Sequence, residues 1–173
     1  IDQNKIFHIE GGNFQDWQKK YAWISEPSEG FPTIKPVTAF KARLVRIQGA
    51  EKMTIEEIIK KISEIGRPAT FSELIAFGDQ YEYFPSAPDD ESEIVGLGSI
   101  TKMTLYDGAE TFEGRRSVSS RENKGEINIK APSLFSSLTR GKEEKRISRF
   151  AFMPVYEGQQ CLFSYMLFLV VVE

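Results

Sequence analysis

Cys161-Leu162-Phe163-Ser164-Tyr165-Met166-Leu167-Phe168-Leu169-Val170-Val171-Val172 is the most apolar stretch of the chain. At about a dozen residues it falls short of the roughly 20 that a membrane helix requires. Its Val, Phe and Leu content suits a strand. A strand apolar at nearly every position needs cover on both faces, so this run is expected near the centre of a sheet.

The segments before it supply partners for such a strand. Lys5–Glu10 alternates apolar and polar residues, and Val37–Gln48 is a second strand, closed by Gly49. Ile94–Tyr106 is one strand or two, kinked at Gly96/Gly98, and Asp107-Gly108 is a hairpin turn leading back through Ala109–Glu113. Glu126–Lys130 is a short strand, Ser133–Leu138 is read as one helical turn, and Ile147–Tyr156 is another long strand.

Helix signals lie in the first half. Asn13 caps a helix over about 14–24, with Asp16 at its third position. Thr54 and Glu57 form a capping box, Met53 and Ile58 a hydrophobic staple, and Ile55, Ile58, Ile59, Ile62 and Ile65 one apolar stripe that Gly66 ends. Arg67-Pro68-Ala69 turns the chain into a second box, Thr70 and Glu73, and a helix that buries Phe71, Leu74, Ile75 and Phe77 and ends near Tyr81. Helices early and strands late predict an α+β fold, a single globular domain over 1–173. The helices are expected on one face of a mainly antiparallel sheet formed largely by the C-terminal half.

Composition removes several chemistries. The 173 residues hold one cysteine, Cys161, and one histidine, His8, which excludes an internal disulfide framework and any multi-Cys or multi-His metal site. No cofactor is expected. Ile1–Lys5 has neither a signal-peptide pattern nor an initiator Met; the chain is read as processed or trimmed, and an intracellular, cytoplasmic location is the expectation.

Charge is unevenly spread along a chain of formal net charge −3. Asp89–Glu113 holds seven carboxylates and one lysine, whereas Arg115–Arg149 holds ten cations and four carboxylates. The cations concentrate in two segments read as loops: Arg115, Arg116, Arg121 and Lys124, then Arg140, Lys142, Lys145 and Arg146. A solvated surface balancing the acidic segment is the plainer reading; a contact surface for an acidic partner or a phosphate is the functional one.

Motifs with specific chemistry are sparse. The two capped helices invite a helix-turn-helix reading, but the second opens Phe71-Ser72-Glu73 and leads to acidic residues, which repel DNA. Gly96-Leu97-Gly98-Ser99 has no helix after it to make a phosphate loop. Asp107, Glu126 and Lys130 can be assembled into a Mg²⁺-dependent nuclease, although Asn128 stands where a second carboxylate is wanted. His8 with Cys161 needs the two terminal strands to meet. Trp17, Tyr21 and Trp23 offer an aromatic anchor for a protein or sugar, with core packing as the default.

Arg67-Pro68-Ala69-Thr70-Phe71-Ser72-Glu73-Leu74-Ile75-Ala76-Phe77-Gly78, followed by Ile94-Val95-Gly96-Leu97-Gly98-Ser99, resembles a pattern in uncharacterised bacterial proteins. These have a capped helix after RPAT and a strand of the IVALGS type. Arg149-Phe150-Ala151-Phe152 is similar to their terminal strand motif. The resemblance spans about a third of the chain and omits the basic segments and the final strand. It implies a bacterial or phage origin and assigns no functional residue.

The expectation is therefore a non-catalytic interaction or assembly protein that recognises a protein partner through the basic residues. The alternatives are a binder of nucleic acid or a phosphorylated ligand, including a Mg²⁺-dependent nuclease, and a carbohydrate-binding module.

Overall fold

The computed structural model describes residues 3–13, 15–17, 34–81, 93–104, 127–139, 145–154 and 166–173. The strands are β1 (Phe7–Ile9), β2 (Phe40–Val45), β3 (Arg67–Pro68), β4 (Glu93–Val95), β5 (Thr101–Thr104), β6 (Ile127–Thr139), β7 (Lys145–Pro154) and β8 (Leu167–Val172). Among the described residues the helices α1 (Ile55–Ser63) and α2 (Phe71–Gln80) accompany these strands in an α+β architecture. One mainly antiparallel sheet runs in the order β1-β2-β8-β4-β6-β5, with β3 also on β8 and β7 also on β6. Among the described pairings only β4 with β8 is parallel.

The final apolar run supplies the inner strand β8. β2 lies along one edge of it, with Lys41 opposite Val172 and Val45 opposite Phe168. The other edge is divided, β4 taking Leu167 and Phe168 and β3 taking Val170 and Val171. Alternate residues of a strand face opposite ways. Leu167, Leu169 and Val171 join Phe71, Leu74, Ile75 and Phe77 of α2, together with Trp17, in one core. Phe168 and Val170 join Ile55, Ile58 and Ile62 of α1 in another. The helices thus cover opposite faces of the sheet, which corrects the expectation that both lie on one. A strand apolar on both sides cannot be sealed by a single helical layer.

Both capping boxes form. Thr54 N–H donates to Glu57 Oε2 at 2.8 Å and Thr70 N–H to Glu73 Oε2 at 2.8 Å, while each threonine hydroxyl accepts the N–H three residues on. Of the α1 stripe, Ile55, Ile58 and Ile62 are buried, whereas Ile65, beyond the helix end, is exposed. Gly66 follows the helix without a positive φ. Its place is set by proximity, because a Cβ there would collide with the Val171 carbonyl of β8. Arg67-Pro68, expected as a turn, is β3, extended by the Ala69 N–H bond to Leu169 O. Asn13 Oδ1 accepts the Asp16 N–H, as expected of a cap, and residues 15–17 are helical.

The expected kink at Gly96/Gly98 is a break between β4 and β5. Val95 pairs with Ser133 and Thr101 with Lys130, so five residues stand against two, Ala131 and Pro132. Pro132 explains its position. Its carbonyl accepts the Gly96 N–H, and the N–H that proline lacks would have pointed to the same edge. The helical turn expected at Ser133–Leu138 is instead part of β6, because β7 pairs with it continuously from Pro154 to Lys145. No helix among the described residues is long and apolar enough to cross a membrane.

Candidate functional site

Two places concentrate charge and polar geometry: the start of α2, and the far end of the β6–β7 hairpin.

At the first, β3 delivers the chain into α2 while the β4–β5 break packs against it. Gly98 N–H donates to Ala69 O at 2.9 Å, and a Cβ on Gly98 would stand 2.7 Å from Pro68 O and 2.8 Å from Ala69 O. Only glycine brings the two backbones this close. Ser99 Oγ then accepts the Phe71 N–H at 2.8 Å, and Ser72 Oγ accepts the Lys35 N–H at 2.9 Å. The two quoted halves of the Arg67–Gly78 and Ile94–Ser99 pattern therefore meet in one joint.

Glu73 is the charged centre of this joint. Its side chain is 9% exposed and that of Arg67 55%. Arg67 Nη1 donates to Glu73 Oε2 at 2.9 Å and Nη2 to Oε1, a bidentate pair. The Thr70 N–H and hydroxyl also donate to Oε2. Burial pushes the Glu73 carboxyl up, but the Arg67 hydrogen bonds and charge and the Thr70 donors outweigh it and hold it below the usual carboxylate range. A helix start is an anion site only where its N–H groups are free. Here Phe71 N–H is taken by Ser99 and Glu73 N–H by Thr70. The arrangement fastens β3, α2 and the strand break together, and leaves those donors nothing to offer a phosphate.

At the hairpin end, Leu138 pairs with Arg146 and Thr139 with Lys145. Lys145 and Arg146, expected in a loop, thus open β7. The strand continues to them because β6 offers paired backbone as far as Thr139. Beyond Phe135, where β4 ends, rows 136–139 and 145–148 have no third strand among the described residues. Arg140 and Lys142 belong to the segment between the two strands; they and Arg115, Arg116, Arg121 and Lys124 lie outside the described residues.

Other candidates fare unevenly. Asp107, Glu126, Tyr21, Trp23 and Cys161 lie outside the described residues, as does the Asp107-Gly108 turn; Lys130 stands in β6 opposite Thr101 and Pro154. His8 is exposed on β1, which β2 separates from β8. Trp17 is 2% exposed within the α2-side core, which removes it as a sugar platform. No group of three or more His, Cys, Asp or Glu among the described residues is placed to hold a metal ion. Arg43 Nε and Glu51 Oε2 are buried without a hydrogen-bond partner among the described residues.

Two contacts went unread in the sequence. Ser99 caps a helix that begins 28 residues earlier, and Gln80, at the end of α2, bonds to the backbone of β1. Neither leaves a local pattern, because each depends on tertiary docking.

No protein-family model, curated protein or solved structure matches this chain.

Proposed function

We propose that this chain is a non-catalytic interaction or assembly protein of bacterial or phage type, which recognises an acidic protein partner through its basic residues. The observation that carries the reading is the register at the end of the β6–β7 hairpin. It sets Lys145 and Arg146 opposite Thr139 and Leu138, bracketing the segment that holds Arg140 and Lys142. Residues 140–146 hold four cations against two carboxylates, Glu143 and Glu144, and this local positive excess attracts an acidic surface even on a chain of net charge −3. Arg115, Arg116, Arg121 and Lys124 are proposed as the second contact segment. The polar junction around Glu73 adds indirect support, since its donors are consumed in holding the fold.

A second reading, a binder of nucleic acid or a phosphorylated ligand, is favoured by one feature: two-stranded ribbons fit the major groove of duplex DNA.

The test is a tagged pull-down from host lysate, with protein and nucleic acid both identified in the eluate. A stoichiometric protein, weakened by Arg115→Glu with Arg116→Glu and by Lys145→Glu with Arg146→Glu at unchanged folding, supports the first reading. Unchanged capture by all four substitutions together overturns it. Nucleic acid that leaves as salt rises promotes the second.

A further inference from the structure

We propose that the outer edge of β1 is a self-pairing site held shut by the Gln80 side chain, and that its release lets two copies of this chain join through antiparallel β1–β1 addition. Among the described residues β1 pairs with a strand on one edge only, β2. On the other edge, the outward backbone groups at its end are the His8 carbonyl and the Glu10 N–H. Gln80 takes both: Nε2 donates to His8 O at 2.7 Å, and Oε1 accepts the Glu10 N–H at 2.7 Å. A carboxamide offers the same donor and acceptor as a peptide group, so the side chain stands in for a neighbouring strand. The Tyr81 hydroxyl adds a third bond to His8 O at 3.1 Å. An edge covered in this way is protected from pairing with another chain.

The occupant that fits is a second copy. If Ile9 lies opposite Ile9 of the copy, a twofold axis passes between them, and His8 stands opposite Glu10 of the copy. In that register each Glu10 N–H meets the other His8 carbonyl, the two groups that Gln80 now holds. Ile9 belongs to the α2-side core face, so the paired isoleucines would extend an apolar surface. His8 and Glu10 are both exposed, and the register sets imidazole beside carboxylate twice. Gln80 itself is exposed at the helix end, where a clamp can open without unfolding the core.

The experiment is sedimentation velocity of the whole chain over about two decades of concentration. Gln80→Ala with Tyr81→Phe removes the clamp but keeps the Tyr81 ring, which packs edge-on against Phe7. Its sedimentation coefficient is expected to rise with concentration towards that of a dimer, while the unsubstituted chain does not change. Gln80→Glu keeps the acceptor and loses the donor, and should associate to an intermediate degree; it is also the milder substitution should the double variant fold poorly. Adding Glu10→Pro deletes the edge N–H and should abolish the association. The proposal is overturned if both clamp variants sediment like the unsubstituted chain, or if association survives Glu10→Pro.

Discussion

Arg67 and Glu73 are joined in parallel, Nη1 to Oε2 at 2.9 Å and Nη2 to Oε1, across the entry to α2. The carboxylate is nearly buried and the guanidinium is not. Breaking the pair therefore harms mainly the glutamate. Arg67→Met leaves a buried charge with only the Thr70 donors, and is expected to cost about 1–2 kcal/mol, read as a lower urea midpoint.

The same pair gives stability a pH dependence. Glu73 is held below its unfolded value, so its contribution is present above the ordinary glutamate range and is lost as pH falls through the lowered folded value. Below about pH 4 the native chain should lose stability more steeply than Glu73→Gln. Equal slopes in urea titrations at several pH values would remove Glu73 from the acid response.

Gly98→Ala tests the joint between the strand break and β3. The added methyl meets two backbone carbonyls, which cannot swing aside as side chains do. A loss of about 1–3 kcal/mol is expected. Ser99→Ala, which only deprives the Phe71 N–H of its acceptor, should cost about 1 kcal/mol. Thermal or urea unfolding ranks the two.

The two-faced core predicts independence. Ile58 lies in the α1-side cluster and Leu74 in the α2-side cluster, with the sheet between them. Each change to alanine should cost about 2–5 kcal/mol. Measured on a background stabilised enough to keep the double variant folded, the losses should add to within about 0.5 kcal/mol. A larger coupling would mean that the faces communicate through β8.

Much of this was legible before any coordinates. Both capping boxes are local, so Thr54–Glu57 and Thr70–Glu73 could be read directly. The unbroken apolar run foretold an inner strand, and that reading already conflicted with helices on a single face; Leu167 and Phe168 needed separate cover. Pro132 and the serines of Ser133–Ser137 argued against a strand, and only the long-range partner β7 decides otherwise. For the candidate site, sequence found the cations but not that Lys145 and Arg146 begin a strand, since the register belongs to the hairpin. Ser99 and Gln80 carried no signal because their partners lie far along the chain.

The placing of β8 governs when this sheet can be made. Synthesis proceeds from the N-terminus, so β2, β3 and β4 all emerge before the strand against which each is zipped. Until Leu167–Val172 leaves the ribosome, the inner surfaces of α1 and α2 have no floor to rest on. The nascent chain must carry two greasy, unclosed helix faces from the making of α2 until β8 follows it, which makes its birth, rather than its finished state, the moment at which a chaperone would matter.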